Sequence, residues 1–196
     1  MRGKVALLVL LSNFKSFQMF SIESERLLLV PVTRSQIDVF VTEPGQLVLL
    51  DKYTVRPFDI NSEHDFVGEF YHALHEYVVP RIDKDPGNWY WYTFWFICDK
   101  ESQWVAGSMG INGPPDEKGE TLVGYFVDRR FENRGYTTEA LHLLLQWIAA
   151  QPGAETVIAD TLAPFNASQR VLQKNGFTLM GEVEEGLRWR KMLRQL

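Results

Sequence analysis

Apolar positions along this chain follow two different periods. Arg26–Val32 (RLLLVPV) is a short apolar run limited by Pro31, which predicts a first strand. Residues 33–43 predict a weak helix broken by Pro44-Gly45, and 46–60 follow neither period. A clearer helix begins at Ser62, with Asp65 three residues on as its capping partner. Phe66, Val67, Phe70, Tyr71 and Leu74 fall on one face of it, and Pro80 is expected to end it. After a loop at 83–88 (DKDPGN), the run WYWYTFWFIC at 89–98 carries aromatic and β-branched residues on both alternating faces. That pattern predicts a strand covered on both sides. With 104–112 and 120–127, it completes a three-stranded antiparallel meander.

The helical period then returns. Beyond Gly135, Leu141, Leu144, Leu145 and Ile148 share one face, while Glu139, His142 and Gln146 form a polar stripe, and Pro152-Gly153 closes the helix. A strand at 156–161, a short helix at 167–175 and two strands near 177–184 and 187–193 complete the chain. This order predicts an α/β (α+β) fold: a mixed, mostly antiparallel, twisted sheet with helices on both faces.

Composition narrows the function. The chain has 196 residues, 45% hydrophobic and 23% charged, enough for one packed domain. The net charge of −5, without a long basic run, argues against nucleic-acid binding. One cysteine, Cys98, and four scattered histidines offer neither a disulfide nor metal-ligand spacing, which fits a reducing, cytoplasmic setting. The apolar run Val5–Leu11 is too short to span a bilayer and lacks a cleavage site, so no membrane association is expected. Residues 1–21 read as an extension, with Met19 as the natural start, and 22–196 as a single domain.

Candidate chemistry concentrates in RRFENRGYTTEAL at 129–141. A helix start carries unpaired N–H groups and partial positive charge, a ready anion site. Gly135 lets a ligand approach the main chain. Arg130 and Arg134 add charge; Thr137 and Thr138 cap the helix or donate hydroxyls. In PFNASQRVLQKNGF at 164–177, Asn166 and Gln169 form a capping box and Gly176 a helix stop, which by themselves explain the segment structurally.

Taken together, GYTTEAL at 135–141, DTLAPFNASQRVLQKNGF at 160–177 and the opening SIESERLLLVPVT at 21–33 resemble the GNAT superfamily of acyl-CoA-dependent N-acetyltransferases. The likeness is to the branch acting on N-terminal amines of ribosomal proteins. It implies acetyl-CoA as cosubstrate and a primary amine acceptor: a protein N-terminus first, a small amine or polyamine second. It implies a cofactor loop over Asn133, Arg134, Gly135, Tyr136, Thr137 and Thr138, whose amides hold the pyrophosphate. It implies Phe126 and Val127 bonding the pantetheine arm where two parallel strands splay. It also implies Asn166 and Ser168 at the cofactor, with Ser168 as a donor to the leaving thiolate.

The sequence departs from the family at Glu132, at Thr137, at Phe165 (with Asn166 one place late), and at Leu172 and Leu122, where relatives carry a tyrosine and a carboxylate. No general base is inherited; Glu120 is the substitute candidate. A non-catalytic CoA-binding module is the rival reading, and the assembly is expected to be a monomer or homodimer.

Overall fold

The computed structural model describes residues 21–61, 66–162, 166–184 and 186–193. The capping residues Ser62 and Asp65, the extension 1–20 and the side chain of Asn166 lie outside the described part. Chain order runs β1 (Ile22–Glu23), β2 (Leu27–Pro31), α1 (Arg34–Thr42), a small hairpin β3 (Val48–Leu49) and β4 (Tyr53–Thr54), and α2 (Phe66–Ala73). It continues with α3 (Val79–Lys84), β5 (Phe94–Asp99), β6 (Val105–Ile111), β7 (Glu120–Val127), α4 (Tyr136–Ala149), β8 (Thr156–Thr161), α5 (Asn166–Lys174), β9 (Thr178–Val183) and β10 (Gly186–Met192). The main sheet has eight strands in the order β1-β2-β5-β6-β7-β8-β10-β9. Every neighbouring pair is antiparallel except β7 and β8, which run parallel.

Alternation along the central strands divides the core. Leu27, Leu29, Trp95, Ile97 and Met109 pack with Leu141, Leu144 and Ile148 of α4 on one face. Leu28, Val30, Phe94 and Phe96 pack with Ile37 and Phe40 of α1 and Leu74 on the other. The expected architecture, a mixed and mostly antiparallel sheet with helices on both faces, is what forms. Helix α1 starts at a capping box in which Thr33 accepts from the Gln36 amide and Gln36 accepts in return from the Thr33 amide.

Two local expectations change. The aromatic run does not enter the sheet at residue 89: Pro86–Trp91 winds as a 3-10 segment, and the strand begins at Phe94. Pro86 presets a helical φ, and the Trp95 indole then donates to the Tyr90 carbonyl at 3.0 Å. Nor does Pro80 end its helix. A π-turn at Leu74–Val78 precedes it, and α3 continues with Pro80 in its first turn, where the missing N–H costs least.

Candidate active site

The site begins where the one parallel pair of strands comes apart. β7 and β8 are paired only at Glu120–Thr156, Thr121–Val157 and Leu122–Ile158. Past Leu122, β7 stays bound to β6 as far as Val127, and β8 stays bound to β10. Each strand is held on its outer side, so a gap opens between them. Strand register decides what faces it. The Leu122 carbonyl accepts from Asn112 and the Asp128 amide donates to Ala106, both on the β6 side. Even-numbered residues of β7 therefore turn their backbone groups to β6, and Val123, Tyr125 and Val127 turn theirs toward the gap. Val127 thus lies on the edge the resemblance implied. Phe126 does not: its main chain belongs to β6, and its side chain projects onto the α1/α2 face of the sheet.

The same edge runs into the loop before α4. Asp128 is fully buried and accepts from the Arg130 amide at 2.9 Å, the Arg130 side chain at 2.7 and 2.6 Å, and the Asp59 amide at 2.9 Å. Burial opposes its ionisation, but these donors outweigh burial and hold its pKa below the usual carboxylate range. A 3-10 turn at Arg129–Phe131 follows, and then Asn133 and Gly135 adopt left-handed φ of 59° and 77°. Gly135 is the N-cap of α4, and no side chain caps the helix. The first-turn amides of Tyr136, Thr137 and Thr138 thus lack an acceptor within the helix.

Side chains beneath the loop lock it in place. The Tyr136 ring is buried and its hydroxyl donates to Asp99 at 3.0 Å. Arg26 lies 5.0 Å over that ring, donates to the Arg134 carbonyl at 3.3 Å and pairs with Glu139. Tyr136 therefore has only its N–H to offer a ligand. Glu139, engaged by Arg26 and Ser24, is an anchor with its charge already answered. Arg134 is exposed beside the Phe131 ring. The Thr138 carbonyl accepts from Asn175 at 3.2 Å, which ties α4 to the end of α5.

Across the gap, Ser168 on α5 meets a residue that sequence reasoning passed over. The Tyr125 and Ser168 hydroxyls share a hydrogen bond of 2.9 Å, and the Tyr125 hydroxyl also lies 3.2 Å from the Ser168 carbonyl. Burial pushes the phenol up to about 12, against a lowering hydrogen bond from Ser168. It therefore stays protonated at neutral pH and can donate but not act as a base. The available signal was parity: in a strand that splays from one neighbour, odd positions face one helix layer, and past Leu122 Tyr125 is the hydroxyl among them.

Glu120 is not brought to this pair. It lies at the fully paired end of β7, 3.5 Å from Arg190. Four residues of strand separate it from Gly124, about 13 Å. At that separation the Glu120 backbone is far from a group held at Gly124, beyond hydrogen-bond reach for direct proton transfer there.

Residues 26–178 match the acetyltransferase (GNAT) domain family, and the chain belongs to that family. Over 95 residues it is 28% identical to the uncharacterized N-acetyltransferase YjdG of Bacillus subtilis, a match covering 48% of this chain and only 56% of that protein. Among solved structures, it is similar to the ribosomal-protein-S5-alanine acetyltransferase of Vibrio fischeri, with a TM-score of 0.59 at 16% identity, covering 89% of this chain and 97% of that one. It is also similar to RimL, a ribosomal L7/L12 α-N-protein acetyltransferase in complex with coenzyme A, with a TM-score of 0.61 at 15% identity, covering 90% of this chain and 100% of that one. At such identities the likeness concerns the fold.

Proposed function

We propose that this protein is an acyltransferase that moves acetyl from acetyl-CoA to a primary amine by direct attack, with a protein N-terminal α-amine as first acceptor class and a small amine second. The observation that carries this reading is the unpaired β7 edge at Tyr125 and Val127 leading directly into the uncapped start of α4. The pantetheine arm pairs with that edge. The diphosphate sits on the amides from Asn133 to Thr138, assisted by Arg134. The ribosomal-protein enzymes among the similar structures support the acceptor class. Buried, unpaired Cys98 is in keeping with a cytoplasmic enzyme.

The residues supply positioning and hydrogen bonds rather than a base. A neutral amine attacks the thioester carbon while a gap-facing β7 amide polarises its oxygen. The C–N bond forms, the C–S bond breaks, and the amine proton leaves through water. Tyr125 and Ser168 donate to the departing sulfur. A phenol held near 12 is a weaker acid than an ordinary thiol at about 8.5, so the pair stabilises the thiolate without giving up its proton. Tyr125→Phe is expected to lower kcat about 10- to 100-fold with coenzyme A affinity nearly unchanged, since a hydrogen bond to a charged group contributes about 1.5–3 kcal/mol. Ser168→Ala in the same background should add little, because the two hydroxyls act together. Full additivity of the pair, or a change in cofactor affinity alone, would refute that role.

The pH profile is the wider test. With no base in place, kcat/KM for an α-amine acceptor should rise about tenfold per pH unit and level near pH 8, where that amine becomes neutral. It should then stay flat to about pH 10, because the raised phenol keeps its proton. Thiol release from acetyl-CoA with N-terminal peptides and small amines measures this. A plateau set well below the amine's own pKa would reveal a base. Coenzyme A uptake without turnover on any amine would sink the transfer reading.

A further inference from the structure

The α1/α2 face of β7 carries a feature that acetyl-donor binding leaves unused. Gly110 and Gly124 are paired across β6 and β7, and a Cβ at either would meet no atom within 4 Å. Together they leave a strip of bare backbone on the sheet. Two residues further, about 7 Å along the strand, Phe126 forms one wall of an apolar recess. Phe58 and Phe70 stand edge-on to its ring at 5.0 and 5.3 Å, Phe40 and Tyr71 also line the recess, and Ile60 lies among them on the loop after β4. The recess has a cavity volume of about 60 Å³ and opens to solvent. Among the described residues, no carboxylate lines it. Asp59 and Glu120, which lie on the elements that carry Phe58 and Phe126, are paired with Arg129 and Arg190.

We infer that the acceptor is a primary amine bearing an apolar side group, aliphatic or aromatic, and that this recess holds the group while the nitrogen reaches over Gly124 to the thioester. The inference rests on the proposed acetyl transfer and names its substrate class. The spacing suits it: about 7 Å separates Gly124 from Phe126, close to the span from an α-amine to the far end of a phenylalanine ring. The lining suits it as well. Polyamines and basic peptides need acidic partners to replace their hydration, and the mostly aromatic wall formed by the described residues provides none. Removing an apolar group from water needs only the wall.

The test uses the full chain and two variants, Ile60→Trp to fill the recess and Ile60→Ala to widen it. Thiol release from acetyl-CoA is measured with leucine- and phenylalanine-initial dipeptide amides, phenethylamine, a glycine-initial dipeptide amide and spermidine. The expected result is a 10- to 100-fold higher kcat/KM for apolar acceptors than for the glycine-initial peptide or spermidine. Ile60→Trp should reduce that ratio at least tenfold, and Ile60→Ala should shift it toward the larger phenylalanine. The peptide and phenethylamine arms separate an N-terminal source from a small-amine source. Equal turnover of spermidine, or a ratio indifferent to residue 60, overturns the inference and leaves acetyl transfer standing. Binding of phenethylamine, read by saturation-transfer NMR without donor, is the second readout; its absence overturns the recess whatever the turnover. Failure of coenzyme A uptake by calorimetry would count against the transfer reading instead.

Discussion

Gly124→Leu is expected to lower kcat/KM for acetyl transfer at least 10³-fold while leaving the melting temperature within a few degrees of the parent. The stability half follows from geometry. Gly124 is not among the glycines with positive φ, it is exposed, and a Cβ there meets nothing within 4 Å. Replacing an exposed strand glycine whose conformation suits an L-residue stabilises by about 0.4–1 kcal/mol through the unfolded chain. The activity half follows from what must pass over that position. Gly124 lies between Val123 and Tyr125, whose backbone groups face the gap, and it shares its face with Phe126. An isobutyl group there would stand on the proposed path from recess to thioester. Losing reactive geometry by even 1 Å costs about 100-fold, and outright exclusion costs more. Gly107, on the neighbouring strand, is the informative contrast: a Cβ there would lie 2.4 Å from the Phe126 carbonyl oxygen, so Gly107→Ala should lower stability first. Thiol release and a thermal melt on Gly124→Leu decide the matter. An enzyme as active as the parent means the acceptor does not cross this strand.

Gly135→Asp is the second large effect, and its two signs oppose each other. A carboxylate at a helix N-terminus normally stabilises the helix by about 0.3–1 kcal/mol. Against that stands the φ of 77°, which costs a side chain about 1–2 kcal/mol, less for aspartate than for most. The net change in folding is small, and the only atom a new Cβ would meet is an Arg26 nitrogen at 3.9 Å. For a diphosphate the result differs. The new carboxylate accepts from the amides the ligand needs and repels it as well. Coenzyme A affinity by calorimetry should fall at least 100-fold, and high salt should recover only part of it, because lost amide donors are not a screened effect. Unchanged affinity would move the phosphate site away from this loop.

The elements were largely legible because they rest on local physics. The period of Leu141, Leu144, Leu145 and Ile148 and the stop at Gly176 each involve residues within a turn or two. Gly176 has φ 77°, and the Phe177 amide bonds back to Leu172 at 3.0 Å, as a helix stop requires. Two local misreadings came from competing local rules. Pro80 was expected to break a helix, yet a π-turn accommodates it. The tryptophans at 89 and 91 suited a strand by composition, but Pro86 starts a 3-10 segment there.

The chain's pattern alone determined the order of the main strands and helices outside residues 46–60, the two-faced core and the glycine at the start of α4, since each depends on residues near in sequence. Tertiary structure alone decided which hydroxyls meet and which carboxylates do not. Tyr125 and Ser168 are 43 residues apart and touch only because β7 and β8 part after Leu122. Arg26 and Glu139, 113 residues apart, brace the loop because β2 packs under α4. Glu120 looked available in the sequence and is placed at the wrong end of its strand. Such pairings depend on register and on which neighbour a strand leaves, quantities set by the whole sheet and not encoded in any short stretch.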